Sequence, residues 1–475
     1  MTSKLILSFC LIVCSLPLRA AEPWFEKLKL EATPDQLYRF LYALPKGGDL
    51  HNHLTGAGLS EWWWDAAIAQ EARGYSYYTK VRIDNCIAYG SVNEYGFAPY
   101  LMLFRTLQAS SYEKLDGCQK GEYKRLQELS VAEKQGWLDS IRLNESFEGR
   151  NEFFSRHWER INELWRNPYV VAEILFKNIQ AFGKEGLAYL ETQEGPEGQL
   201  KADGSVFSDD ETVAIYRQRL ADADAKATGV TVRFQSSILR FLPGAEQDLK
   251  DLYAFTAKHR DLWVGVNMVG REDDDKGYPL RFLPTLRELR KQYPDIHLSI
   301  HAGEVDEPNH HVRDTLQIGA ERIGHGNNLI TDPDTMLLMR NGPYMVEINL
   351  ISNLLLEYVQ NFQQHPFPEY LRTGIPVALS TDDRGMWDSN MTDEYFVAVR
   401  EFNLSWEELV LIGRNSLKYS FVEEPVKQKL LKDYDARVAR YKAQFLSKGL
   451  DGLKTVKPVS YSFTCKHYQL CLPRE

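Results

Sequence analysis

Four short stretches of this chain carry residue types that can do chemistry together. His51 and His53 are two apart, which on a strand turns both imidazoles to one face. His301-Ala302-Gly303-Glu304 sets a histidine three residues before a carboxyl group. Ile323-Gly324-His325-Gly326 flanks a histidine with glycines, which let the backbone come close to a ligand. Ser380-Thr381-Asp382-Asp383 places two carboxylates side by side. Each stretch alone has an ordinary structural explanation, such as a core histidine, a solvated loop acid or a helix N-cap. Together they supply three histidines and one aspartate as ligands, His51, His53, His301 and Asp382, with a position left open for water. Such a zinc site makes water a nucleophile at neutral pH by lowering its pKa to about 7. Glu304 then reads as a proton shuttle that is not a ligand, and His325 as the group that orients the attacking oxygen. Neighbouring strand residues point to opposite faces, so Asp382 completes the metal shell while Asp383 hydrogen-bonds substrate or water. The stretch Val266-Asn267-Met268-Val269-Gly270 has no lysine or carboxylate to bridge a second metal, so one ion is expected.

These residues need a scaffold that brings distant stretches to one place. Short apolar, β-branched segments recur at Gly48 to Leu54, Leu187 to Thr192, Val230 to Ile238, Trp263 to Val269, Ile296 to His301, Arg322 to Gly324, Tyr344 to Asn349 and Pro376 to Ser380. Helical patterns such as Asp210 to Ala227 and Pro279 to Tyr293 link them, and Asn151 to Gly183 is helical with a break near Pro168. Alternating strands and helices imply a parallel sheet, and eight units suggest closure into a barrel. Histidines and carboxylates fall at the C-terminal ends of at least four of these strands, where barrel enzymes place their chemistry. The fold expected is therefore α/β, a (β/α)₈ barrel. A large insertion follows the first strand, at about 60–149, and contains Trp62, Trp63, Trp64, Tyr75, Tyr77, Tyr78, Cys86 and Cys118. A helical, cysteine-ended extension closes the chain.

The length of 475 residues fits one decorated barrel as well as several small domains. Hydrophobic residues make up 44% and charged residues 26%, which excludes a disordered chain. The net charge of −10, with no basic run, argues against nucleic acid or an anionic membrane as partner. Residues 1–20 read as a signal peptide: Lys4, an apolar run from Leu5 to Leu16, and Leu18-Arg19-Ala20 at the cut. The run is too short to span a bilayer. A single mature unit over 21–475, exported to a periplasm or the extracellular space, is expected. Four of the six cysteines survive cleavage, and sequence proximity favours Cys86–Cys118 and Cys465–Cys471.

The blocks Lys46 to Gly56 (KGGDLHNHLTG), HAGE at 301, RIGHG at 322 and STDD at 380 resemble the adenosine deaminase family of zinc amidohydrolases. The leader and the insertion make the chain more similar to its secreted, growth-factor-type branch. The resemblance implies zinc on His51, His53, His301 and Asp382, and Glu304 protonating the purine N1. It further implies that His325 positions the attacking oxygen, that Asp383 holds that oxygen or the purine edge, and that the Gly270 backbone bonds the purine ring. The implied reaction turns adenosine, and 2′-deoxyadenosine, into the inosine product and ammonia. Thr55 and Asn267 stand where relatives carry acidic residues, which bears on the sugar contacts. Other 6-aminopurines such as adenine or a modified adenosine, and a secreted nucleoside-binding or signalling protein with a vestigial site, are the competing readings. The HxE…PCxxC signature of nucleic-acid deaminases is absent. Both a monomer and a homodimer are compatible with the sequence.

Overall fold

Eight parallel strands form one sheet in which neighbours follow chain order. They are β1 (Gly47–His53), β5 (Leu187–Gln193), β6 (Thr231–Leu239), β7 (Trp263–Val269), β8 (His297–Ala302), β9 (Arg322–His325), β10 (Met345–Ile348) and β11 (Val377–Leu379). This computed structural model describes residues 22–87, 90–91, 102–143, 145 and 147–474, so the leader expected at 1–20 lies outside the described residues. The seam between β11 and β1 is closed beyond the last strand. The Asp382 amide donates to the His51 carbonyl at 2.9 Å, and the His53 amide donates to the Asp382 carbonyl at 3.2 Å. Asp49 fastens the same seam by accepting from the Thr381 hydroxyl at 2.6 Å.

The barrel interior is polar. Glu191 accepts from Arg322 at 2.6 Å and from Gln235 at 3.0 Å. Arg322 in turn meets Glu347 at 2.7 Å, and all four side chains are buried. A buried charge is tolerable only when paired and hydrogen-bonded, and here each one is. Outside, helices lay apolar faces on the strands. The helix Pro168–Lys184 starts at an Asn167 cap and buries Val170, Val171, Ile174, Leu175 and Ile179. The helical stretch expected from Asn151 onward is more broken than its pattern suggests, with a π-helical turn at Phe153–His157 and a stop after Trp165.

The stretch read as an insertion holds a helix, Ser60–Ala69, and three short strands. These are β2 (Tyr77–Lys80), β3 (Thr106–Gln108) and β4 (Tyr123–Arg125), an antiparallel sheet in the order β3, β2, β4. Trp63 and Trp137 of this stretch are fully buried and belong to the same apolar cluster as the barrel's core residues. The disulfide Cys86–Cys118 staples it, and Cys465–Cys471 closes a small loop in the tail that follows the long helix Glu424–Lys448. The two bonds span 32 and 6 residues. If stabilisation comes from restricting the unfolded chain, they contribute about 4 and about 2 kcal/mol respectively. Scanning calorimetry should therefore show a larger fall in Tm for the Cys86→Ser, Cys118→Ser pair than for the Cys465→Ser, Cys471→Ser pair.

Candidate active site

At the C-terminal mouth of the barrel, His51 and His53 leave the same face of β1 as their spacing requires. His51 Nε2 lies 3.3 Å and His53 Nε2 3.2 Å from one oxygen of Asp382. His301, near the end of β8, brings its Nε2 to 3.2 Å from that of His53. One ligand atom each from His51, His301, His325 and Asp382 lie within 4.8 Å of one another, as do those of His53, Asp382 and Asp383. His51 Nε2 is buried and has no hydrogen-bond partner among the described residues. Such lone pairs converging on a carboxylate are a donor set that fits a divalent ion of the zinc type. Burial disfavours a charged His51 ring, while the Asp382 and Glu347 carboxylates beside it act in the opposite sense and raise its pKa.

The other ring nitrogens decide which histidines can ligate. His51 Nδ1 donates to Glu347 at 2.8 Å, and His301 Nδ1 donates to the Asn267 amide oxygen at 3.1 Å. The orientation of Asn267 is set in turn, because its amide nitrogen donates to Gln235, which donates to Glu191. Both histidines therefore keep an Nε2 lone pair for a metal, the arrangement that orients ligating histidines generally. His325 is the reverse. Its Nδ1 accepts from the amides of Asn353 at 2.9 Å and Asn349 at 3.3 Å. Its Nε2–H faces Glu304 at 3.7 Å and Asp382 at 4.0 Å. With its proton on Nε2, His325 presents a donor to the cavity where His51 and His301 present lone pairs.

Asp382 and Asp383 both reach this cavity, for a reason other than strand alternation. Strand β11 ends at Leu379, and the chain then turns through a left-handed residue at Asp382, φ +54°. The opposite-face argument for their separate roles therefore fails, since neither residue is in a strand. Asp383 precedes the short helix Arg384–Trp387 but its side chain makes no cap bond. Two glycines give these groups room. A Cβ on Gly324 would meet the His51 ring at 2.6 Å, and one on Gly56 would meet the Asp383 carboxylate at 1.6 Å. Burial, and then the Asp382 charge, push the carboxyls of Glu304 and Asp383 well above the usual range.

The sequence profile of the adenosine deaminase family matches residues 123–437. The chain belongs to the adenosine deaminase family. The match takes in His301, Glu304, His325, Asp382 and Asp383 and begins after the two histidines of β1, which the fold brings to the same cavity. The adenosine deaminase of Plasmodium gallinaceum is 33% identical over 40% of this chain and 52% of its own length. That of Shewanella halifaxensis is 30% identical over 54% of this chain and 76% of its own. The matched stretch thus spans about half of the first relative and three quarters of the second. The adenine deaminase of Arthrobacter aurescens superposes with a TM-score of 0.61 at 16% identity, over 83% of this chain and 99% of that one. At that identity the likeness speaks for the fold.

Within this family member, Glu272, His311 and Glu347 support the site from segments that carried no signal in the sequence. Glu272 accepts from the backbone amides of Gly303 at 3.0 Å and Glu304 at 2.9 Å, and so pins the turn that aims Glu304. His311 donates to the same carboxylate at 2.6 Å. Asn267 is occupied with His301 and Gln235. Gly270, at φ +95°, offers its carbonyl to Arg240 at 2.9 Å. Glu347 is the direct support of His51, and loss of such a partner typically costs 10- to 100-fold in metal affinity. Glu347→Gln is expected to weaken binding of a divalent ion in this cluster by about that factor, measured with added zinc by competition with a chromophoric chelator.

Proposed function

We propose that this protein is an exported, zinc-dependent hydrolytic deaminase that converts adenosine, and 2′-deoxyadenosine, to the inosine product and ammonia. It is read as a secreted-type member of its family. The reading is carried by one observation: Glu304 is buried beside a cluster of nitrogen lone pairs and a carboxylate that suits one metal ion, where burial and then the Asp382 charge raise its pKa and disfavour its ionised form. His51, His53, His301 and Asp382 would hold the ion. Zinc bound there supplies Lewis-acid activation of water at neutral pH.

The chain's own residues account for the proton movements. Glu304 gives its proton to the purine N1, which makes C6 electrophilic, and regains one from the attacking water. His325 donates its Nε2–H to the oxygen that adds to C6. Asp383 accepts a hydrogen bond from that oxygen or from the purine edge. The backbone of Gly270 bonds the ring. Water adds at C6, the hydroxyl so formed gives up its proton to the departing amino group, the C6–N bond breaks, and ammonia leaves with the purine keeping a C6 carbonyl oxygen and the proton on N1. The pair of disulfides and the apolar leader pattern support export, because disulfides persist in oxidising compartments. No helix among the described residues is long and apolar enough to cross a membrane.

The test follows the ultraviolet change from adenosine to inosine. Turnover should be lost on chelation and return with zinc. Glu304→Gln should lower kcat by about 10²- to 10⁴-fold, the usual contribution of a positioned acid, while zinc content stays constant. Faster turnover of adenine than of adenosine would overturn the nucleoside reading. Nucleoside binding without turnover by the zinc-loaded protein would favour a binding role instead.

A further inference from the structure

Behind His325 runs a hydrogen-bonded chain whose polarity is fixed at its far end. The Phe367 backbone N–H, at the start of the helix Phe367–Thr373, donates to His365 Nδ1 at 3.1 Å. A backbone amide is only ever a donor, so His365 Nδ1 carries no proton. The neutral His365 ring must then hold its proton on Nε2. Burial pushes the His365 pKa down to about 3, so the ring is neutral across the physiological range. His365 Nε2 lies 3.0 Å from the Asn353 amide oxygen, and that oxygen accepts. The Asn353 amide nitrogen, thereby turned the other way, donates to His325 Nδ1 at 2.9 Å. Turning the Asn353 amide over would set its NH₂ group against the His365 Nε2–H, two donors facing each other. His325, Asn353 and His365 are all buried, so water cannot relieve such a mismatch. Asn349 adds a second donor to the same His325 nitrogen at 3.3 Å.

We propose that Asn353 and His365 are positioning residues, which transmit the direction of the Phe367 N–H to His325 and lock its proton on Nε2, facing the reacting oxygen. The proposal rests on the role given above to His325. It also separates His325 from His51 and His301, whose Nδ1 atoms face acceptors. The imidazole in each case is the same, and its outer neighbour decides whether the cavity sees a lone pair or a proton.

The experiment reads the tautomer directly, in the zinc-loaded full chain with ¹⁵N-labelled histidine. Nitrogen–proton correlation spectra separate protonated from bare ring nitrogens, and His325→Gln and His365→Gln assign the signals. Both rings should show a protonated Nε2 and a bare Nδ1. A proton on His325 Nδ1 would overturn the proposal, whatever the activity of the protein. Asn353→Asp, similar in shape, accepts from both sides and draws the His325 proton to Nδ1. It should lower kcat about 100-fold or more, within the range for misdirected acid–base groups, with KM and zinc content near those of the parent. Parental kcat in Asn353→Asp would also overturn it. His365→Gln keeps a donor and an acceptor on one planar group and should retain far more activity than His365→Phe; equal losses would count against the relay. Should Asn353→Asp not fold, the spectrum of the unsubstituted protein decides alone. An expected spectrum in a protein that deaminates no 6-aminopurine would leave the relay standing and remove the functional reading.

Discussion

The barrel is sewn shut by the residue on which the histidines of its candidate metal site converge. Strand β11 stops at Leu379, short of the mouth, and Asp382 completes the pairing with β1 through its backbone. The same residue presents its carboxylate to the ring nitrogens of His51 and His53. Both functions need the left-handed turn at Asp382, a conformation that Asp tolerates better than most residues. Barrel closure and cluster geometry are thus one constraint, and a cation seated among these groups would stabilise the seam as well as the chemistry. Asp49 adds to it by gripping Thr381 from inside the first strand.

From that seam a charged line descends through the barrel: His51, Glu347, Arg322, Glu191. Replacing such buried pairs with apolar residues often costs little stability. Their value here is directional. Each acceptor or donor behind a ring nitrogen fixes which way the front nitrogen faces, and the barrel uses both senses. Glu347 and Asn267 turn lone pairs inward on His51 and His301, while Asn353 turns a proton inward on His325. A cluster of identical imidazoles thus turns lone pairs to the cavity at two places and a proton at a third without any change of residue type.

That division explains what could be read in the sequence. The eight strands were legible because parallel strands buried on both faces are short apolar runs, and they lie within a residue or two of the expected bounds. The acids and histidines facing the cavity were legible because each sits in a compact block, and three of the four blocks carry glycines, such as Gly324 beside His51, where a side chain would collide. Glu347, Asn353, His365 and Glu272 were not. Each is a common residue type in a segment without a motif of its own, and its duty exists only once a distant ring or backbone turn is placed beside it. The opposite-face argument for Asp382 and Asp383 failed because a strand's length depends on its partner, and β1 pairs with a turn at that level. Strands β2, β3 and β4, three or four residues each, were hidden for the same reason.

The additions to the barrel converge on the segment that follows these two aspartates. Asp388 is buried, again left-handed at φ +50°, and its carboxylate accepts from Arg474 of the tail at 2.7 and 2.6 Å and from the Ser462 amide at 3.0 Å. Glu61 of the first helix in the insertion also meets Arg474, at 3.0 Å, and pairs with Arg142, which closes the helix Val131–Ile141. The Leu143 amide donates to the Met386 carbonyl at 2.8 Å, and Gly385 lies so close to Gly58 that a Cβ would fall 2.1 Å from its carbonyl oxygen. Insertion and tail therefore brace the short helix Arg384–Trp387 from two sides. Partly exposed ion pairs of this kind are individually weak, but four charged groups from separate parts of the chain hold one turn. That turn carries Asp382 and Asp383 at its start, so the added segments act on the cavity by limiting how far its two aspartates can move.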